Sequence, residues 1–208
     1  YGEVDVELGP DEVILLEPGA MSRMESHLSS SYQRLGSFVS AIFRKVFGGE
    51  NFFLGKYSQT NGGKLTFAPA VPGSVEHYSL SNNQLNLMAG SFLACTPGVN
   101  VKAKFGGFKA FFSGEGAFLL EASGSGDLFF NSFGGIVEKN INGEFIVDSG
   151  HVVAFEPSLS YKVSGMGNWK STMLSGEGLV MTFSGSGKIY LQTRTIDSLA
   201  SWLTPRLL

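Results

Sequence analysis

Ser113-Gly114-Glu115-Gly116-Ala117-Phe118-Leu119-Leu120-Glu121-Ala122-Ser123-Gly124-Ser125-Gly126 returns later in the chain as Ser175-Gly176-Glu177-Gly178, an apolar run, and Ser184-Gly185-Ser186-Gly187. A block that recurs with its spacing kept marks a fold built from copies of one supersecondary unit. The match extends outward. Leu85-Asn86-Leu87-Met88-Ala89-Gly90-Ser91-Phe92-Leu93-Ala94-Cys95-Thr96-Pro97 aligns with Phe145-Ile146-Val147-Asp148-Ser149-Gly150-His151-Val152-Val153-Ala154-Phe155-Glu156-Pro157 at a constant offset of 60, and Lys102 and Lys162 keep that register. Each copy reads as a strand, a glycine turn and a second strand ended by proline, which has no ladder donor and holds the residue before it extended. A more diverged copy lies at the front. Asp11-Glu12-Val13-Ile14-Leu15-Leu16-Glu17-Pro18 has the turn, the four apolar residues and the proline. Gly49-Glu50-Asn51-Phe52-Phe53-Leu54, Asn61-Gly62-Gly63 and Lys64-Leu65-Thr66-Phe67 then repeat the order of the Gly-rich block.

Glycine punctuates the rest, with 28 glycines among 18 phenylalanines and only seven prolines. Runs such as Leu128-Phe129-Phe130, Glu144-Phe145-Ile146-Val147 and Lys188-Ile189-Tyr190-Leu191 between Gly, Ser and Asn clusters predict many short strands, hence an all-β chain. The reading places three tandem units over residues 1–76, 77–138 and 139–195. Two segments depart from it. From Arg34 to Phe47 the residues Leu35, Phe38, Val39, Ile42, Phe43, Val46 and Phe47 form one helical stripe closed by Gly48-Gly49, predicting an amphipathic helix inserted at about 34–47 in the first unit. Over 196–208 a short C-terminal helix carries Leu199, Trp202 and Leu203, capped by Asp197 and limited by Pro205.

A chain of 208 residues, 43% hydrophobic and 16% charged, has the composition of a packed globular protein. Its net charge of −3 and scattered lysines lack the Lys/Arg stripe that phosphate-backbone contacts require, so nucleic acid is not the expected partner. Cys95 is the sole cysteine, which excludes an intrachain disulfide and a cysteine-based zinc cluster within one chain and fits a reducing, cytoplasmic setting. No apolar run approaches the roughly 20 residues that cross a bilayer, and Tyr1-Gly2-Glu3-Val4-Asp5-Val6-Glu7 lacks the basic start and apolar centre of a signal peptide. The chain begins at Tyr1 and not at methionine, so a natural start further upstream is expected. The 34–47 stripe bears only basic charges, Arg34, Arg44 and Lys45; packing on protein is the expectation for it, and a peripheral contact with an anionic membrane is the alternative.

The candidate chemical groups read as structural. Gly126 is followed by Asp127 and another strand, not by the Lys-Ser/Thr and helix of a phosphate loop, so the Gly-rich blocks are expected to be hairpin turns. His27, His77 and His151 stand at no metal-binding spacing. Asp148-Ser149-Gly150-His151 is the nearest thing to a constellation, but the second copy has Met88-Ala89-Gly90-Ser91 there, so the reading is a turn with an exposed histidine. Glu50, Glu115 and Glu177 recur at matching places and are expected to accept backbone N–H bonds, with carboxylates lining a channel as the alternative. No Gly-x-Ser-x-Gly elbow is present, and Cys95 lies in an apolar strand. No catalytic, cofactor-binding or metal-ligating residue is therefore assigned, and no cofactor is expected.

The tandem units with Gly-Glu-led strands, the front motif Glu17-Pro18-Gly19-Ala20-Met21 and the block Gly48-Gly49-Glu50-Asn51-Phe52-Phe53-Leu54 resemble the mitochondrial-biogenesis "altered inheritance of mitochondria" family, from about Val4 to Leu203. The resemblance implies three units of the short double-stranded β-helix, or β-sandwich, found in the trp RNA-binding attenuation protein, a type that assembles into closed rings. It also implies a link to membrane organisation and brings no catalytic or ligand residues. Together these readings lead to an expected non-enzymatic, self-assembling scaffold or binding protein, a homotrimer in which the third unit of one chain pairs with the first of the next. A nucleic-acid-binding ring and an enzyme or small-molecule binder with a site between units are its rivals.

Overall fold

The computed structural model describes residues 1–34, 53–104, 119–165 and 179–207. The predicted inserted helix, apart from Arg34, lies outside those residues, as do Glu50, Glu115, Glu177 and both Ser-Gly-Glu-Gly blocks. Arg34 itself ends a strand. The strands are β1 (Val4–Leu8), β2 (Val13–Leu16), β3 (Met21–Met24), β4 (Ser29–Arg34), β5 (Phe53–Ser58), β6 (Gly63–Phe67), β7 (Val75–Met88), β8 (Phe92–Cys95), β9 (Val99–Lys104), β10 (Leu119–Asn131), β11 (Ile136–Asp148), β12 (Val152–Phe155), β13 (Ser160–Gly165) and β14 (Leu179–Gln192), followed by one helix, α1 (Ile196–Leu207). The fold is all-β with a C-terminal helix.

Pairing follows one scheme. β10 runs antiparallel to β7 along its length, while its first half also takes β9 and its second half takes β8. β14 does the same with β11, β13 and β12. Towards the N-terminus both long strands are split: β5 pairs with β2 and β4, and β6 with β1 and β3. A local hydrogen-bond pattern confirms which short strands correspond. The N–H groups of Glu25, Thr96 and Glu156 donate to the carbonyls of Lys64, Asp127 and Lys188. The side chains of the same three residues accept the N–H of Lys64, Asp127 and Lys188, each at 2.9 Å. β3, β8 and β12, which precede these residues, are therefore counterparts.

This corrects the alignment of the front copy. Val13–Leu16 corresponds to the second half of β7, not to β8, and Ser26 stands where Pro97 and Pro157 stand; Pro18 lies in the connection from β2 to β3. Two adjacent apolar strands of four residues have the same pattern, and only the pairing tells them apart.

Ser123-Gly124-Ser125-Gly126 is not a hairpin turn either. It continues through the middle of β10, where the register against β7 shifts between Gly124 and Ser125. Gly124 has φ +109°, and a Cβ there would lie 2.4 Å from the Gly98 carbonyl oxygen. Glycine is needed for this bulge and close approach, not to reverse the chain. The equivalent Gly185, at φ +122°, lies within β14.

Leu8, Leu65 and Phe67 pack in one apolar cluster, Leu85, Leu120 and Phe130 in a second, and Phe155, Met181 and Phe183 in a third. Edge-to-face aromatic pairs lie within the first two clusters, Phe67 with Phe129 at 5.4 Å in the first and Phe130 with Tyr190 at 5.2 Å in the second. Helix α1 is capped by Thr195, whose Oγ1 accepts the Ser198 N–H at 3.1 Å. Asp197 sits inside the first turn, and Pro205 lies within the helix without ending it. In the last turn a missing N–H costs a single bond, so the helix continues to Leu207. Among the described residues no helix is long and apolar enough to cross a membrane.

Candidate interaction surfaces

The groups able to do chemistry are held by their surroundings. The Nδ1 of His151 lies 2.7 Å from the Gln192 carbonyl oxygen, and Asp148 accepts the Gly150 N–H at 2.7 Å, closing a 3-10 turn over Ser149–His151. His151 is half-buried and not exposed. Sequence spacing showed the turn but not the strand β14 beside it. His151→Ala is expected to cost about 1 kcal/mol, the typical worth of one such bond, and thermal unfolding of the variant checks this.

His27 lies 3.1 Å from the Gly62 carbonyl oxygen. His77 pairs with Asp127 at 2.7 Å and stacks against Phe129 with ring centroids 5.0 Å apart. Cys95 is buried, which pushes its thiol up to about 12 and leaves it protonated. Among the described residues no cluster of three or more His, Cys, Asp or Glu side chains could hold a metal ion.

Two features escape sequence patterning. Glu17 is buried, its Oε2 has no hydrogen-bond partner among the described residues, and burial pushes its carboxyl up to about 8. A glutamate in the turn after a strand gives no sign of this. On the outer face of β1, β6 and β3, Arg23 donates to Glu3 at 2.9 and 3.0 Å and to Asp5 at 3.2 Å. The hydrogen bond from Arg23 holds the Glu3 carboxyl below the usual range.

The surfaces that recur are the junctions between parts of the chain. β8 lies antiparallel on β2, with Leu15 opposite Cys95 and Leu16 opposite Ala94. β12 lies antiparallel on β7, with Asn86 opposite Phe155 and Leu87 opposite Ala154. Each junction carries an open cleft. One, of about 680 Å³, is lined by Tyr78, Asn83, Gln84, Ser123, Glu156 and Pro157. The other, of about 330 Å³, has Val6, Glu12, Val13, Thr96, Pro97 and Asp127. These linings offer amides, hydroxyls and carboxylates without a nucleophile set against a base. The three-stranded sheet ends in β1 and β3 and the large sheet in β11 and β4, and the outer edges of these strands have no partner strand among the described residues.

These features define an all-β protein whose parts join by repeated strand-edge contacts. The chain belongs to the mitochondrial biogenesis AIM24 family, whose profile matches residues 1–194. An uncharacterised protein of Streptococcus pyogenes serotype M6 is 31% identical over 210 residues, covering 97% of this chain and 84% of that protein. The X-ray structure of a Streptococcus pyogenes protein superposes with a TM-score of 0.81 at 29% identity, covering 99% of this chain and 94% of that one.

Proposed function

We propose that this chain is a non-enzymatic scaffold that assembles with copies of itself. The observation that carries the reading is the strand-edge junction made twice inside the chain, together with the unpaired edges of β3 and β11. Unpaired edges are templates for another chain. The absence of enzymatic activity belongs to the proposal and is supported by the engagement of His27, His77 and His151 in local bonds and by the protonated, buried Cys95. We propose that the units are of the trp RNA-binding attenuation protein type and that three chains close a ring.

Light scattering on the purified protein at micromolar concentration tests this. A species of three times the 22.3 kDa chain mass is the expected result. A single species at 22.3 kDa across the accessible concentration range overturns it. The membrane-organising role rests on the family and the 34–47 stripe; co-flotation with anionic liposomes tests it, and protein that stays at the bottom of the gradient removes it.

A further inference from the structure

The clefts at the two internal junctions are framed alike and lined differently. Asp11 and Asn82 take the left-handed conformation, at φ 60° and 56°. The residue after each turns its side chain back on the chain: Glu12 accepts the Gly9 N–H and Asn83 the Ser81 N–H, both at 2.8 Å. Val6 stands where Tyr78 stands, because Val6 opposes Leu65 and Tyr78 opposes Leu128, and the counterparts Met24 and Cys95 oppose the same two leucines. On the facing wall, Thr96 is the counterpart of Glu156. The frame thus holds with valine, glutamate and threonine in one cleft and with tyrosine, asparagine and glutamate in the other. The fold itself does not require the tyrosine and amides of the second.

In that second cleft, of about 680 Å³, several polar groups are left without work in the fold. Gln84 is half-buried, and its amide makes no hydrogen bond among the described residues. Asn82 accepts from the Ser125 hydroxyl at 3.1 Å through Oδ1, which leaves its Nδ2 as a donor. Glu156 uses Oε2 for the Lys188 N–H at 2.9 Å and keeps Oε1 as an acceptor. Burial, with the Glu156 carboxylate adding to it, holds the Tyr78 hydroxyl above its ordinary value, so it stays protonated and can donate.

Donors and acceptors are therefore interleaved along one wall, beside the rings of Tyr78 and Pro157. Hydroxyl groups both donate and accept, so a row of them satisfies such a set, while aliphatic C–H faces lie against the two rings. The Glu156 carboxylate disfavours an anion, and Lys188, whose charge reaches Tyr78, is held by Glu138 at 2.8 Å. A single carboxylate that already accepts an N–H gives a cation little hold. The volume lies in the range of ligand cavities, about 300–1,000 Å³, and the open side leaves room for a chain of linked units to run out into water.

We infer that the cleft between β7 and the connection from β12 to β13 binds a neutral oligosaccharide, with Tyr78, Gln84 and Glu156 as its hydrogen-bonding residues. Glycoside hydrolysis uses a pair of carboxyl groups across the scissile bond. Glu156 is the one carboxylate in this lining, so the sugar is held and not cleaved. The site is complete within one chain and does not depend on self-assembly.

Saturation-transfer NMR on the full chain, with cellotriose and chitotriose as probes at millimolar concentration, tests this. Transfer to the ring protons of at least one of them is expected. Gln84→Ala is expected to weaken that binding about tenfold, the worth of one or two hydrogen bonds, and to melt with the wild type because its amide has no partner to lose. Tyr78→Ala is expected to abolish binding, and Glu12→Gln, in the other cleft, to leave it unchanged. No transfer to either probe overturns the inference. So does binding that survives both Gln84→Ala and Tyr78→Ala, or that is lost with Glu12→Gln in a folded protein.

Discussion

Glu17→Gln is expected to raise the melting temperature clearly at pH 8 and to change it little at pH 4.5. The carboxyl is buried with an unpartnered oxygen, and its folded-state value of about 8 lies well above the ordinary 4.5. Below pH 4.5 the group is protonated in both states and adds no pH dependence. Between 4.5 and 8 the unfolded chain releases the proton while the folded chain keeps it, so folding weakens by about 1.4 kcal/mol per pH unit. Above 8 both states are ionised and the loss levels off, after a total of up to about 5 kcal/mol. Glutamine fills the same space and does not titrate. Denaturant unfolding of wild type and variant across this range decides it: the wild-type stability falls towards alkaline pH, and the variant loses most of that slope. Parallel profiles for the two proteins remove the assignment.

Gly124→Val is expected to lower stability by about 3 kcal/mol or more, from strain and backbone displacement together. Two effects act at once. The residue has φ +109°, where a β-branched side chain is strained, and its Cβ would fall 2.4 Å from the Gly98 carbonyl oxygen. Gly143→Val separates them, because Gly143 has φ +110° with nothing within 4 Å of its Cβ position. Only the strain remains there, on the order of 1–2 kcal/mol. Calorimetry on both variants reads the difference. Equal losses at the two positions mean that the approach of Gly98 to the bulge does not constrain β10.

The sequence reaches the architecture through repetition. Leu85–Pro97 and Phe145–Pro157 match residue for residue, and in both the strand, turn and strand fall where glycine and proline place them. Local chemistry was enough for this, since turn residues and apolar runs act within a few residues of themselves. Where two strands look alike, the same reasoning slips. Val13–Leu16 is as apolar as Phe92–Cys95, and its place as the counterpart of the second half of β7 follows only from its partners β5 and β8. Gly124 and Gly126 carry the composition of a turn, but the Gly98 carbonyl beside Gly124 and the Thr96 hydroxyl beside Gly126 are brought in by the connection from β8 to β9.

What the sequence by itself determined is the all-β class, the recurrence of one strand order and the lack of an evident catalytic motif. The tertiary structure decided which faces are covered. Asn86 is 2% exposed and Ile146, at the same place in the repeat, is 61% exposed, the reverse of what their side chains suggest. Burial at that position depends on whether a second strand lies on the outer edge: β12 lies on β7, and no described strand lies on the edge of β11 away from β14. A side chain's hydropathy is local, whereas its exposure depends on the neighbour that the whole fold supplies.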